Sequence, residues 1–298
     1  TPDRADVGTP EPVVVDAART PLPDGPPELV SRLSGHAKGV KWIEFCSDGD
    51  KLVSLSSDEV RIWDAATEKC DHVIQQYGGR MAVHPILRQI IVAATSIQFI
   101  DIDTAEVVRE LPAHSKKQSS MTISRDGKYL ALTIPDGGGI SIFDISNQEK
   151  IALHGTLQGY RGQPGRSSLA FLPDNEHLVA SGIGGKDEHF GVRLFHVPAL
   201  TEVRSFTASD RKREKNLGHG IAVHPGGQKF ISLSQYGYRL SEFSVARDSP
   251  LRQLSGHGAS LPICLMASTY SAEVGQMLPF IFEKAQQTKC FGNYRRPL

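Results

Sequence analysis

The stretch from Leu33 to Asp64, LSGHAKGVKWIEFCSDGDKLVSLSSDEVRIWD, constrains the fold of this chain more than any other. Apolar and β-branched residues alternate through Val40–Cys46 and again through Lys51–Leu55. Ser47-Asp48-Gly49 between them carries the Asp-Gly signal of a hairpin, so two antiparallel strands are predicted. Val60-Arg61-Ile62-Trp63 supplies a third. Period-two patterning gives each strand two faces, and a unit this short cannot cover both by itself.

The same outline returns along the chain. Met81–Pro85, Gln89–Ala93 and Ile97–Asp101 repeat the three-strand beat, with Ile100-Asp101 standing where Trp63-Asp64 stood. In a third unit Ala113-His114 replaces Gly35-His36. Ser124–Lys128 is its turn, and Tyr129–Ile134 and Ile140–Asp144 are its strands. His114 precedes Asp126 by 12 positions, as His36 precedes Asp48. A fourth unit runs through Ser168–Phe171, Pro173-Asp174-Asn175, His177–Ser181 and Val192–His196. A fifth runs through Ile221–Pro225, Gly226-Gly227, Lys229–Ser234 and Arg239–Ser244. Asp16, Asp64, Asp101, Asp144, His196 and Ser244 are then spaced 48, 37, 43, 52 and 48 residues apart. Units of this period, each built of short strands, are the pattern of an all-β propeller with four-stranded antiparallel blades.

The first unit, from Gly35-His36 to Trp63-Asp64, resembles the WD40-repeat family. In blades of that family the Gly-His histidine, a strand serine, a turn aspartate and the tryptophan nitrogen form one buried hydrogen-bonded chain. The resemblance assigns these roles to His36, Ser54 or Ser56, Asp58 and Trp63. Each is a polar group that is costly to bury alone and inexpensive when the chain is complete, so their role is structural and not catalytic.

The termini are organised differently. Residues 1–27 hold seven prolines, at positions 2, 10, 12, 21, 23, 26 and 27, and are expected to be an irregular leader preceding a single propeller domain over 28–298. Within the leader, Val13–Ala18 aligns with Arg61–Ala66, and Pro12–Asp16 is expected to be one blade strand. Ser255-Gly256-His257 announces a further blade, with Ile263–Ala267 and Leu278–Phe282 as two of its strands. Joining these to Val13–Asp16 closes a ring of six and leaves no free edge. An open piece of a seven-bladed parent is the alternative, and 272–289 equally suits a short terminal helix.

Lysine plus arginine equals aspartate plus glutamate at 33 each, so whole-molecule charge points to neither nucleic acid nor membrane. No apolar run approaches the ~18 residues that a spanning helix needs. The chain starts at Thr1 without a signal-peptide pattern and is taken as a mature or excised segment. Cys46, Cys70, Cys264 and Cys290 have no CxxC spacing. Two disulfides are arithmetically available, but reduced, buried thiols are expected, which suits a cytoplasmic setting.

Catalytic motifs are absent: there is no HExxH, GxSxG or GxxxxGK[ST]. Gly182–Lys186 looks like a phosphate loop but joins two strands, without the helix N-terminus that would support an anion. His84 and His224 occupy the same place in two Val-His-Pro triplets and are expected at strand ends, not on one metal. Among the first strands Glu44 is the lone carboxylate, too few for a divalent cation, so no cofactor or metal is expected. The longest insertions are Pro135–Gly139, Gly155–Ser167, Gly182–Gly191 and Thr207–Gly220. In propellers of the resembled kind such loops share one face. They and the adjoining 116–117 carry Lys116, Lys117, Arg161, Arg166, Lys186, Arg211, Lys212, Arg213 and Lys215 against Asp136, Asp187, Glu188, Asp210 and Glu214, with Tyr160 and Phe190 as aromatic anchors. The expected function is a non-catalytic, monomeric scaffold that binds a protein or acidic peptide there, with phosphate or nucleic acid as further candidates. The alternative is a propeller enzyme, lactonase-like or oxidoreductase, with a channel site.

Overall fold

The computed structural model describes residues 31–75, 79–112, 120–134, 138–161, 168–184, 189–206, 217–234, 239–247 and 250–255. Residues Thr1–Leu33 form a unit separate from Ser34–Leu298, and the strands of the described residues lie in the second unit. The segments expected to complete a further blade, 12–16 and 256–298, lie outside the described residues.

Among the described residues five antiparallel sheets follow one another. Blade one pairs β1 (Trp42–Phe45), β2 (Lys51–Leu55), β3 (Glu59–Asp64) and β4 (Cys70–Gln75) in chain order. Blade two repeats this with β5 (Arg80–Val83), β6 (Gln89–Ala93), β7 (Ser96–Asp101) and β8 (Val107–Pro112). Blade three comprises β9 (Met121–Ile123), β10 (Tyr129–Ile134), β11 (Gly139–Asp144) and β12 (Ala152–Leu157). Blade four has five strands: β13 (Tyr160–Arg161) and β14 (Ser168–Phe171) pair with successive parts of β15 (His177–Gly184), followed by β16 (His189–His196) and β17 (Thr201–Phe206). Blade five is β18 (Leu217–Val223), β19 (Lys229–Ser234), β20 (Arg239–Ser244) and β21 (Pro250–Ser255). The first strands of successive blades touch, β1 with β5, β5 with β9, β9 with β14 and β14 with β18, which is the inner wall of a propeller.

The core lies between blades, not within them. In blade two, Met81 and Val83 pack toward blade one with Val53, Val60, Ile62, Ile90 and Ile100. Their neighbour Ala82 points the other way and joins Ile91, Phe99, Met121, Ile123 and Leu130 in the next seam. The third seam holds Ala131, Ile142, Leu157, Tyr160, Leu169 and Phe195. The fourth holds Ala170, Val179, Leu194, Phe206, Ile221, Phe230 and Phe243, with the ring of Phe206 edge-on to Phe230 at 4.9 Å. The strand alternation thus sorts each sheet's side chains into two seams.

Fourth strands have no counterpart in the sequence reading, and the reason is physical. β4 alternates half-buried and exposed residues along Cys70–Gln75, and β8 does so over most of its length, so neither presents an apolar run. Ser255, expected to open a new blade, instead ends β21. Each fourth strand also departs from regular pairing at one place. The register slips between Ile62 and Trp63, Phe99 and Ile100, Ile142 and Phe143, Leu194 and Phe195, and Glu242 and Phe243, which leaves Asp71, Val108, His154, Val203 and Leu251 as bulge residues.

The turns repeat as faithfully as the strands. In the first-to-second hairpins Gly49, Gly127, Asn175 and Gly227 all adopt positive φ, between 65° and 76°. After the third strand, Asp64 Oδ1 accepts from the Thr67 amide (2.7 Å) and hydroxyl (2.8 Å). Asp101 Oδ1 holds Thr104 in the same way, at 2.9 and 3.1 Å. The turn residues also meet across seams. Arg88 gathers Asp48 and Asp50 of blade one with Asp103 of its own blade. The His84 ring, its Nδ1 accepting from the Leu87 amide at 3.0 Å, lies against Gly127 of blade three.

Gly49 and Gly127 provide a matched comparison. Both have positive φ (76° and 70°), but a Cβ at Gly49 would meet open space, whereas one at Gly127 would sit 2.6 Å from His84 Cε1. Gly49→Ala is expected to cost about 1 kcal/mol in urea unfolding from backbone strain alone, and Gly127→Ala about 2–4 kcal/mol because the seam must also move.

Candidate functional site: the loop face of blades three to five

In an antiparallel blade the second-to-third hairpin and the link to the next blade leave from the same end. In blades three to five that end carries the connections after β10, β12, β15 and β17. Blade four is the most elaborate. β15 and β16 pair through eight successive rows, reaching Gly184 opposite His189, where the second and third strands of blade two share five. Much of the Gly182–Gly191 insertion is therefore strand and not loop. β13 adds to the raised end, with Tyr160 opposite Gly184 and Arg161 opposite Ile183. Since Ile183 also faces Phe190, Arg161 and Phe190 share one cross-strand row.

Tyr160 is a correction to the sequence reading. It is not an exposed anchor but is 1% accessible, packed in the third seam with its hydroxyl donating to the Ser181 carbonyl at 2.6 Å. An aromatic flanked by Gly159 and Arg161 looks like a surface residue in sequence; burial follows because its strand lies over the seam. Sequence reading also passed over Arg193, a buried arginine on β16. It donates to the Gly159 carbonyl and to Glu202 Oε2 (3.3 Å), pinning the segment that leads into β13. Hydroxyls link the inner strands beside this face: Ser120 Oγ accepts from the Leu169 amide and Ser168 Oγ from the Ile221 amide, each at 3.2 Å. Arg166, Lys186, Arg211, Lys212, Arg213 and Lys215 lie outside the described residues.

The polar chain of blade one forms with one substitution. Trp63 Nε1 donates to Ser54 Oγ at 2.8 Å, and Ser54 Oγ stands 2.6 Å from His36 Nε2. The acid beyond is Glu59, whose Oε1 lies 3.0 Å from His36 Nδ1, at hydrogen-bond distance though not in hydrogen-bond alignment. Asp58, the expected member, instead accepts from Ser56 at 2.7 Å. Glu59 can only accept, so the proton belongs on Nδ1 and the Ser54 hydroxyl points at Nε2. Arg61 Nε closes the far end on Glu59 at 2.7 Å.

Serine, histidine and carboxylate in this order are the groups of a hydrolytic triad, but the surroundings oppose that chemistry. Ser54 is 4% accessible, which keeps a substrate from its Oγ, and that Oγ already accepts from Trp63 Nε1. Glu44 accepts from the Trp42 indole (3.3 Å) and the Val83 amide (3.2 Å) and is engaged in the wall. His84 and His224 each accept a backbone amide at Nδ1, as strand-end residues do. Among the described residues no three of His, Cys, Asp and Glu converge as a metal site would require, and no helix is long and apolar enough to cross a membrane. Cys46 and Cys70 are free thiols, the former buried and pushed up to about 12.

Burial holds the His36 imidazole below its ordinary 6.5, outweighing the nearby Glu59 carboxylate. A histidine lowered in the folded state contributes stability that is present above 6.5 and lost as pH falls below it. The melting temperature of the wild type is expected to drop more between pH 7.5 and pH 5 than that of His36→Gln. Ser54→Ala leaves the Trp63 donor and the imidazole both unpaired and is expected to cost about 1–3 kcal/mol. The loss should be strongly non-additive with Trp63→Phe in a double-mutant cycle.

Comparison with known proteins agrees with this geometry. Residues 27–64 match the family model "WD domain, G-beta repeat". The chain is 23% identical over 267 residues to Pre-mRNA-processing factor 19 homolog 2 of Arabidopsis thaliana, covering 84% of this chain and 47% of that protein. It is 26% identical over 110 residues to WD repeat-containing protein 3 of Homo sapiens, covering 35% of this chain and 12% of that one. It thus spans less than half the length of either. Two solved structures, "Structure of U3-55K" and "Crystal structure of RRP9 WD40 repeats", share its fold at 16% identity, with TM-scores of 0.61 and 0.62. They cover 76% and 78% of this chain and are themselves covered to 69% and 68%.

Proposed function

We propose that this chain, which matches a WD repeat over residues 27–64 and shares the fold of WD40 structures, is a non-catalytic scaffold whose loop face over blades three to five holds a partner. The observation that carries the reading is the common end from which four connections leave, together with the eight-row hairpin and extra strand that raise blade four above its neighbours. Connections with extra length on a rigid sheet framework are where binding residues concentrate. The sequence gives these connections and the adjoining 116–117 nine basic residues against five acidic ones on a chain of net charge zero, so the partner is an acidic protein segment. Arg161 and Phe190, joined in one row, supply a cation and an aromatic ring of the kinds that dominate interface energies. A relative named for pre-mRNA processing makes protein assemblies associated with RNA the first class of partner to examine.

The test is a native pull-down with mass spectrometry, comparing the wild type with a variant carrying Arg211→Glu, Lys212→Glu, Arg213→Glu and Lys215→Glu. Circular dichroism should first show the two equally folded. Specific partners should be enriched on the wild type and reduced at least ~tenfold on the variant, since four reversals in one patch remove more than 1.4 kcal/mol of attraction. Unchanged partner lists would refute the assignment of the face.

A further inference from the structure

The seams between blades are apolar, but their inner ends are tied by side chains that reach an amide of the next blade. At the third and fourth seams those side chains are the hydroxyls of Ser120 and Ser168, which do not titrate. The first seam differs. The first-strand residue opposite the third residue of the second strand points across the seam, and in successive blades it is Glu44, Ala82, Thr122, Ala170 and Ala222, as the registers of Glu44 opposite Val53, Ala82 opposite Ile91, Thr122 opposite Ala131, Ala170 opposite Val179 and Ala222 opposite Ile231 establish. Among these described positions only blade one carries an ionisable group.

We infer that the seam between blades one and two is a proton-sensitive clasp, closed most firmly when the Glu44 carboxyl is protonated. Its neighbours are Trp42 on its own strand, Val53 across the hairpin and Val83 across the seam. The titratable group nearby on β1's continuation is the Cys46 thiol, itself uncharged at neutral pH. Lys41 precedes β1, and Arg80, first in β5, donates to the Gly79 carbonyl at 3.4 Å; the groups that act on Glu44 are the Trp42 indole and the Val83 amide and not a cation. Glu44 is half-buried, and a carboxylate partly withdrawn from water without a cation is less stable than the same carboxylate in bulk solvent, which pushes this carboxyl up to about 7. The two donors that it accepts from, the Trp42 indole and the Val83 amide, only partly offset that penalty. Ionisation is relieved by admitting water between β1 and β5, so the open seam gains as pH rises through neutrality. Protonation restores a neutral acid that still accepts one bond and fits the seam as Thr122 fits its own.

The full chain labelled with 5-fluorotryptophan reports this directly, because it contains two tryptophans and Trp42→Phe assigns their fluorine resonances. Between pH 5.5 and 8.5 the Trp42 resonance should move through one transition near pH 7. The Val83 amide, corrected for intrinsic exchange, should lose about tenfold in protection over the same range. Glu44→Gln keeps an acceptor and should abolish both changes. Glu44→Thr, the residue native to blade three, serves as a second variant should the amide disturb packing. A Trp42 resonance and Val83 protection that do not vary with pH would overturn the inference, as would the same transition in both variants.

Discussion

Everything in this molecule depends on sheet packing against sheet. A four-stranded antiparallel blade has two faces and too little substance to cover either, so the apolar side chains of its strands find burial only against the next blade. This is why Met81 and Val83 belong to one core and Ala82, between them in sequence, to another. It also explains the state of blade one. Trp42 and Glu44 face blade two, so Ile43, Phe45 and their cross-strand partners Ser54, Leu52, Arg61 and Trp63 face away from it. On that side Phe45 is 60% exposed, whereas its counterpart in blade two, Val83, is 4% exposed. Among the described residues Val83 has a blade stacked on its side and Phe45 does not.

The repeat and the innermost three strands of each blade were legible because their signals are local. Alternation in Lys51–Leu55 or Tyr129–Ile134 and the Asp-Gly turns need no tertiary information. Fourth strands were not legible, because β4 and β8 lie at the rim and half of their residues face water, which erases the apolar pattern. Of the proposed partner face, local patterning reaches residue types and not their surroundings. Arg161 and Phe190 do share a row, but nothing local tells that Tyr160 turns inward to Ser181 or that Arg193 is spent on the Gly159 carbonyl. The acid beside His36 was missed by one position for a related reason. Asp58 and Glu59 are both acids next to a turn, and Ser56 takes the first of them.

Polar groups do two separable jobs here. In blade one the relay from Trp63 through Ser54 and His36 to Glu59 and Arg61 ties three parts of the chain that have no apolar reason to meet, and it does so with its serine buried. At the turn ends Asp64 and Asp101 hold Thr67 and Thr104, which fixes where each third strand stops. Arg88, with three carboxylates from two blades around it, is exposed, so its net contribution is modest. Specific burial stabilises, and exposed charge sets the spacing between neighbouring turns.

The bulge at the same register of every fourth strand has a consequence for how molecules meet one another. Among the described residues β4, β8, β12, β17 and β21 pair on one side only, and several carry exposed valine or leucine, among them Val108, Val203 and Leu251. Straight edges of that composition would let two particles zip together strand to strand and continue into fibres. An extra residue in each edge increases its twist and breaks its register, so a second copy can align over only a few residues before its amides and carbonyls fall out of step. Five edges are thereby made poorer templates for strand addition by one repeated irregularity.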